Sequence, residues 1–265
     1  MKPSIKPAIN DISEGASRWR IAALLGWQDV AQRYRRSKLG AFWLTINMVI
    51  MTAAIGIIFG TLFQVDLSKF LPHLAIGIIF WTYISTTIQE TANSFVISDG
   101  MILQIKLPLS THVIRASFRN LFILAHNIAI VPPLFILFGV SPSLNMLWSI
   151  LGTILVALNL VWAGLILAVV CTRFRDIFQV VQNGLQLAFY ATPIMWLPDT
   201  LPPAKAEVIL GLNPFFHLLE IVRGPLLGES VSRISWLVSI FLLPIGWTLA
   251  IWVFGRYRAR IPYWL

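Results

Sequence analysis

Long apolar runs separated by short polar segments rich in Lys and Arg organise this chain. A hydrocarbon layer about 30 Å thick takes roughly 20 apolar residues to cross as a helix. The pattern predicts six such helices, at 42–63, 72–95, 117–139, 145–172, 177–197 and 235–255. Ahead of them, Ser17 to Gln32 sets Trp19, Ala22, Ala23, Trp27 and Val30 at helical spacing among Arg18, Arg20, Gln28, Asp29 and Gln32. That alternation predicts an amphipathic helix lying along the membrane interface. Between the last two runs, Trp196 to Arg233 carries Pro198, Pro202, Pro203, Pro214 and Pro225 and two apolar pieces, 208–212 and 215–222. Each piece is too short to cross, so re-entrant or interfacial helices are expected there. The predicted fold class is an all-α integral membrane protein: six transmembrane helices, an N-terminal amphipathic interfacial helix, and re-entrant or interfacial helices on the outer side. The expected segments are 1–40 for the N-terminal region, 41–257 for the membrane domain with its outer region at 197–234, and 258–265 for the tail.

Composition agrees. Of 265 residues, 57% are hydrophobic and 12% charged, and the mean hydropathy is +0.78. The 20 Lys and Arg with 11 Asp and Glu are too few to clothe a soluble fold of this size, whereas a bundle in lipid needs charge only at its ends. Residues 1–38 hold no apolar core followed by a small-residue cleavage site, so no removed leader is expected and the first run is itself a span.

The charges also orient the bundle. Lys2, Lys6, Arg18, Arg20, Arg33, Arg35, Arg36 and Lys38 precede the first run; Lys106, Arg115 and Arg119 lie between the second and third, Arg173 and Arg175 between the fourth and fifth, and Arg256, Arg258 and Arg260 at the end. Only Lys69, Lys205, Arg223 and Arg233 fall on the other side. The rule that Lys and Arg stay inside then puts both termini in the cytoplasm. A net charge of +9 does not signal nucleic acid here, because the basic residues punctuate apolar runs instead of forming a stripe on a soluble face.

Several chemistries are excluded. No Gly-Lys pair occurs, so the glycine-rich phosphate loop of an ATPase is absent and ATP hydrolysis falls to another chain. His73, His112, His126 and His217 lack the spacing of a zinc site, and Cys171 stands alone, so neither a metal nor a disulfide is expected. Glu90, Asp176 and Glu220 are too scattered for a proton relay or a membrane enzyme.

The informative chemistry is uncharged. Gln179, Gln182, Asn183, Gln186 and Tyr190 make one helical stripe in the fifth run, and Thr82, Thr86, Gln89 and Asn93 make another in the second. Amides and hydroxyls do not face lipid cheaply, so both stripes must face protein or a wet pathway. Interhelical hydrogen bonding and a substrate path both satisfy that demand. Phe59 and Phe63, one turn apart in the first run, Trp162, and Phe189 beside Tyr190 lie away from the interfacial belts. Aromatic faces pack on sugar rings while amides bond hydroxyls, so such a path suits a neutral glycan better than an ion.

Several ordered stretches resemble the membrane subunits of bacterial ABC-type polysaccharide exporters, the O-antigen (Wzm-like), capsule and teichoic-acid permeases. They are Arg33-Tyr34-Arg35-Arg36-Ser37-Lys38-Leu39-Gly40 running into Phe42-Trp43, Lys106-Leu107-Pro108-Leu109 with Arg115, Arg173-Phe174-Arg175-Asp176-Ile177, Thr192-Pro193-Ile194, and Asn213-Pro214-Phe215 followed by Arg223. The resemblance implies type-2 ABC exporter architecture: a homodimer of six-span subunits, two copies of a nucleotide-binding ATPase subunit holding ATP and Mg2+, and an undecaprenyl-pyrophosphate-linked glycan moved outward. It implies that Arg33, Arg35, Arg36 and Lys38 sit at the lipid-pyrophosphate entrance, a role that positive-inside anchoring explains equally well. It also implies that the loop from Ile97 to Ser110 with Lys106 and Arg115, and the turn with Arg173, Arg175 and Asp176, meet the ATPase. One departure is Asn47-Met48, where some members carry a proline. A teichoic-acid exporter, a small-molecule ABC exporter and a membrane transferase acting on lipid-linked sugar stay open as rival readings.

Overall fold

The computed structural model describes residues 5–33, 35, 37, 39–40, 42–198, 202 and 208–265. Arg36, Lys38 and Lys205, together with the side chain of Phe63, lie outside the described residues. Helices α1 (Ile5–Ser17) and α2 (Trp19–Arg33) lead into α3 (Phe42–Phe63) and α4 (Leu67–Ala92). Two short helices, α5 (Ser94–Ile97) and α6 (Asp99–Gln104), precede α7 (Ser110–Ile128), α8 (Val131–Phe138), α9 (Leu147–Arg173) and α10 (Asp176–Ala191). The chain closes with α11 (Pro214–Leu226), α12 (Arg233–Tyr257) and α13 (Ile261–Trp264).

Helix α4 is the axis of the bundle: from Phe70 to Ala92 most of its side chains are buried, against α3, α7, α9, α10 and α11. By contrast α3 and α12 bury a stripe each and turn Ile50, Ile57, Ile58, Phe241 and Ile245 outward. Lipid tails are as apolar as those side chains, so the helices associate through close packing at small residues instead. Gly56 and Gly60 of α3 sit under Leu71 and Leu67, Gly152 of α9 meets the Ile221 carbonyl, Gly164 meets Thr91, and Gly246 of α12 lies on the ring of Trp162.

Among the described residues, five helical segments are long and apolar enough to cross a membrane: Phe42–Leu62, Leu67–Ala92, Ser110–Phe138, Leu144–Arg173 and Arg233–Trp264. The fifth expected span, 177–197, is instead the 16-residue helix α10, about 24 Å long at 1.5 Å per residue and so shorter than the hydrocarbon layer. It stops at Ala191 because Thr192 is extended ahead of Pro193. The second span starts earlier than expected, since Asp66 accepts the Ser68 amide at 2.9 Å and caps the helix. The third is already helical at Ser110 and breaks between Ile128 and Val131, ahead of Pro132 and Pro133. Of the two pieces in the outer region, 208–211 forms a single helical turn and 214–226 a full helix.

The segment 17–32, expected as an amphipathic helix, is helical from Trp19 as α2, which buries Ala22, Gly26 and Val30 and leaves Trp19, Ile21, Leu24 and Trp27 exposed; its principal neighbour is α7. A Cβ on Gly26 would stand 2.9 Å from the Arg115 carbonyl oxygen, so this glycine sets how closely α2 lies on α7. Trp19 and Trp27 flank that contact against Phe118 and Phe122. Helix α1, which the pattern did not predict, packs on α12 and α7. Both ends of the chain therefore meet at the same end of the bundle, where the basic residues gather.

Candidate functional site

At the basic end, three parts of the chain converge on Asp11, whose side chain is fully buried. Its carboxylate accepts the Leu109 amide at 3.1 Å and the Ser110 amide at 3.0 Å, and its own carbonyl accepts the Ser110 hydroxyl at 2.8 Å. Arg258 Nε donates to it at 2.8 Å. Asp11 thus supplies from α1 the cap that the first residues of α7 lack, where the unpaired amides and the helix dipole favour an anion.

A second cluster joins α2, α4 and α7. Arg115 Nε reaches Asp29 at 2.9 Å, Arg119 bridges Asp29 at 3.3 Å and Glu90 at 2.8 Å, and Asn120 donates its amide to Glu90 and to the Ala116 carbonyl. Arg33 stands looser, 3.8 Å from Glu90 and half exposed. Arg115, expected toward an ATPase, is paired with Asp29 and about one-fifth exposed. Arg119 carries the network, and nothing in its sequence position marked it.

The two polar stripes sit in different surroundings. Thr82 and Thr86 open on a crevice of about 250 Å³ between α3, α4 and α7, with Asn47, Glu90, Asn120 and Asn127 in its wall and Arg33 among its lining residues. Gln89 and Asn93 are half-buried and outside that wall. On α10, Gln179, Asn183, Gln186 and Tyr190 are exposed and Gln182 half-buried, while Leu185 alone is buried. The Gln179 amide donates to Asn183 at 3.2 Å within the stripe. Phe189 packs on Trp81 and on Tyr190, which leads the stripe into an aromatic group completed by Phe215 of α11. Phe59 packs on the core of the bundle.

Next to α10, an apolar cavity of about 450 Å³ is walled by Ile88, Leu160, Trp162, Val181, Leu185 and Phe215. Trp162 donates its indole N–H to Asn159 at 2.9 Å, and Asn159 in turn bonds the Ser239 carbonyl.

At the opposite end, α11 is a buried wedge. Asn213 caps it, accepting the Phe215 and Phe216 amides, while its own amide ties the Thr192 hydroxyl at 2.9 Å. Arg223, counted from sequence among the loop charges, is 1% exposed. It donates to the Pro193 carbonyl and to Glu220, and lies 3.0 Å from His73 Nε2. A buried guanidinium needs such partners, and they fasten the end of α10 to α4 and α11. The Thr-Pro-Ile and Asn-Pro-Phe stretches are thus two halves of one joint.

Returning to the basic end, Lys106, Arg173, Arg175 and Asp176 are exposed. Arg173 lies over the rings of Phe174 and Trp264. Ile97, Leu103 and Ile105 are exposed beside them on the segment from α5 to α7. Arg35 lies in a turn after α2 and is exposed.

The long apolar helices of the bundle mark a multi-pass membrane protein. The chain belongs to the ABC-2 type transporter family, whose description matches residues 22–227. It is 25% identical over 229 residues to an O-antigen export system permease protein RfbA of Klebsiella pneumoniae, covering 83% of this chain and 86% of that one. A second protein of that name from the same organism is 25% identical over 240 residues, covering 87% and 90%. The RfbA permease of Myxococcus xanthus is 24% identical over 197 residues, covering 72% and 74%.

Proposed function

We propose that this chain is the membrane subunit of an ATP-driven exporter that moves undecaprenyl-linked polysaccharide, of O-antigen or capsule type, from the cytoplasm to the far side of the inner membrane. The observation that carries the reading is the stripe Gln179, Gln182, Asn183, Gln186 and Tyr190, polar and largely uncovered along a helix at the edge of the bundle. Polar side chains at that depth need a polar partner, and a second copy facing this one across a hydrated path supplies it. Amides hold sugar hydroxyls in such a path, and the aromatic group at Trp81, Phe189 and Phe215 offers faces for sugar rings.

In this reading α10 is the sixth crossing, completed by thinning of the bilayer around it. Both termini are cytoplasmic, by the excess of Lys and Arg at their end. The exposed surface of Lys106, Ile105, Arg173, Arg175 and Asp176 receives one of two ATPase subunits, which bind ATP and Mg2+; this chain binds no cofactor. Arg33, Arg35, Arg36 and Lys38 attract the lipid pyrophosphate. The names of the relatives point to the O-antigen class of substrate.

Deleting the gene tests the reading in cells. Lipid-linked glycan accumulates on the cytoplasmic face and vanishes from the surface if the proposal holds; normal surface glycan overturns it. A second reading, export of a small apolar molecule, draws on the 450 Å³ cavity around Trp162. It predicts that Leu160→Trp or Val181→Trp, which fill the cavity, abolish transport while the α10 stripe variants leave it intact.

A further inference from the structure

A cleft of about 540 Å³ lies at the end of the bundle opposite the basic residues, lined by Asn145, Trp148, Glu229, Ser230, Arg233 and Trp236. Helices α9 and α12 both begin beside it, so two of its walls are the first turns of membrane-crossing segments. The third wall is the loop after α11, and it is a held turn. Gly228 takes a left-handed φ of +75°, and the Glu229 amide donates to the Gly224 carbonyl at 2.8 Å. A Cβ on Gly224 would stand 2.5 Å from Val231, so the loop lies close on the helix it leaves. Glu229 and Ser230 are thereby set at the cleft by backbone bonds.

Trp148 and Trp236 meet edge to face there, with ring centroids 6.1 Å apart. Tryptophans at helix ends ordinarily do no more than anchor a span in the head-group layer. An anchor needs no charge, yet this hollow carries an acid and a base. Arg233 stands against the bias that gathers Lys and Arg at the other end, and among the described residues its side chain has no hydrogen bond or ion pair. One turn deeper than each tryptophan, Leu151 and Ile240 are exposed, so an apolar surface leads from the cleft toward the hydrocarbon.

That order of groups describes its complement. A guanidinium holds a phosphate by paired hydrogen bonds. A primary ammonium donates to a carboxylate and is also attracted to the face of an indole ring. A neutral sugar would stack on the tryptophans and leave both charges unused. We infer that the cleft binds a bilayer phospholipid with a zwitterionic head group, a phosphate ester bearing a primary ammonium. The phosphate lies on Arg233, the ammonium between Glu229 and the tryptophan rings, and the tails over Leu151 and Ile240. The inference requires that the bundle cross a membrane and is independent of the cargo.

Native mass spectrometry of the full chain, released from nanodiscs holding equal amounts of phosphatidylethanolamine, phosphatidylcholine and phosphatidylglycerol, tests this. The wild type should retain one phosphatidylethanolamine per chain in preference to the other two, because the quaternary ammonium of phosphatidylcholine cannot donate and phosphatidylglycerol has no cation. Glu229→Gln should lower phosphatidylethanolamine roughly tenfold, to the level of the others, for one lost charge-assisted hydrogen bond. Arg233→Gln should lower all three, and Arg233→Lys should restore part of the loss. Both side chains are exposed, so the melting temperatures of the variants should match the wild type and report binding apart from folding. Equal retention of the three lipids by the wild type, a preference that survives Glu229→Gln, unchanged retention in Arg233→Gln, or displacement of the lipid by a neutral oligosaccharide overturns the inference.

Discussion

Arg258 places its Nε 2.8 Å from Oδ2 of Asp11 and so fastens the last helical turns of the chain to the first helix. The same carboxylate caps α7, so one buried acid holds the N-terminus, the C-terminus and the loop that leads into α7. Asp11→Ala strips two backbone amides and a guanidinium of their acceptor and should destabilise the protein by roughly 2–4 kcal/mol. Arg258→Ala should cost less, about 1–2 kcal/mol, because that side chain is 38% exposed and water replaces its partner. Equilibrium unfolding in detergent micelles checks the order of the two.

The cluster at α2, α4 and α7 has a hub and a periphery. Arg119 joins Asp29 to Glu90 with little exposure, so Arg119→Ala leaves two acids short of a cation and should cost about 3 kcal/mol. Arg33→Ala should lie within about 0.5 kcal/mol of wild type, since its contact is long and half exposed. If Arg33→Ala instead unfolds the protein, the placement of α2 is wrong.

Glycines give a sharp packing test. A Cβ on Gly246 would fall 2.1 Å from the ring of Trp162, whereas one on Gly184 meets nothing within 4 Å. Gly246→Ala should cost about 1–3 kcal/mol through overpacking of α9 on α12. Gly184→Ala should be neutral or stabilising by up to about 1 kcal/mol, from helix propensity alone. Thermal melting of the two variants in one detergent reads this directly.

The α10 stripe separates transport from folding. Gln186 and Tyr190 are exposed in the single chain, so Gln186→Leu and Tyr190→Ala should leave membrane abundance unchanged. Export should fall severalfold, about the tenfold that 1.4 kcal/mol of lost transition-state contact produces. Abundance by immunoblot and surface glycan by gel, on the same cells, supply both readouts.

How far the sequence led can be judged from these residues. Apolar runs located the crossing helices because length and hydropathy alone define a span. Helix α10 came out shorter than its run because Thr192 and Pro193 end it, a local steric effect that a hydropathy window averages away. Asp11 and Arg258 lie 247 residues apart, and neither sits in a pattern, so their pairing was not legible. Arg223 read as a loop charge because its partners, the Pro193 carbonyl, Glu220 and His73, come from three separate segments. Thr82 and Thr86 were found as polar positions at helical spacing, but Asn120 and Asn127 at the same crevice are single amides inside an apolar run. On α10 the polar stripe is largely exposed, but so are the apolar Val180 and Leu187, so periodicity found the stripe without showing how much of the helix is uncovered.

The proposed function requires outward movement of a lipid-linked glycan driven by a partner ATPase. Vesicles containing this chain with its candidate ATPase, loaded with polyprenyl-diphosphate-linked glycan on the outer, ATP-accessible face, test it most directly. Glycan should become protected from an added glycosidase only when both chains and ATP are present, and ATP turnover should rise with the glycan. Protection without ATP, or none from a verified complex of both chains, would contradict the account.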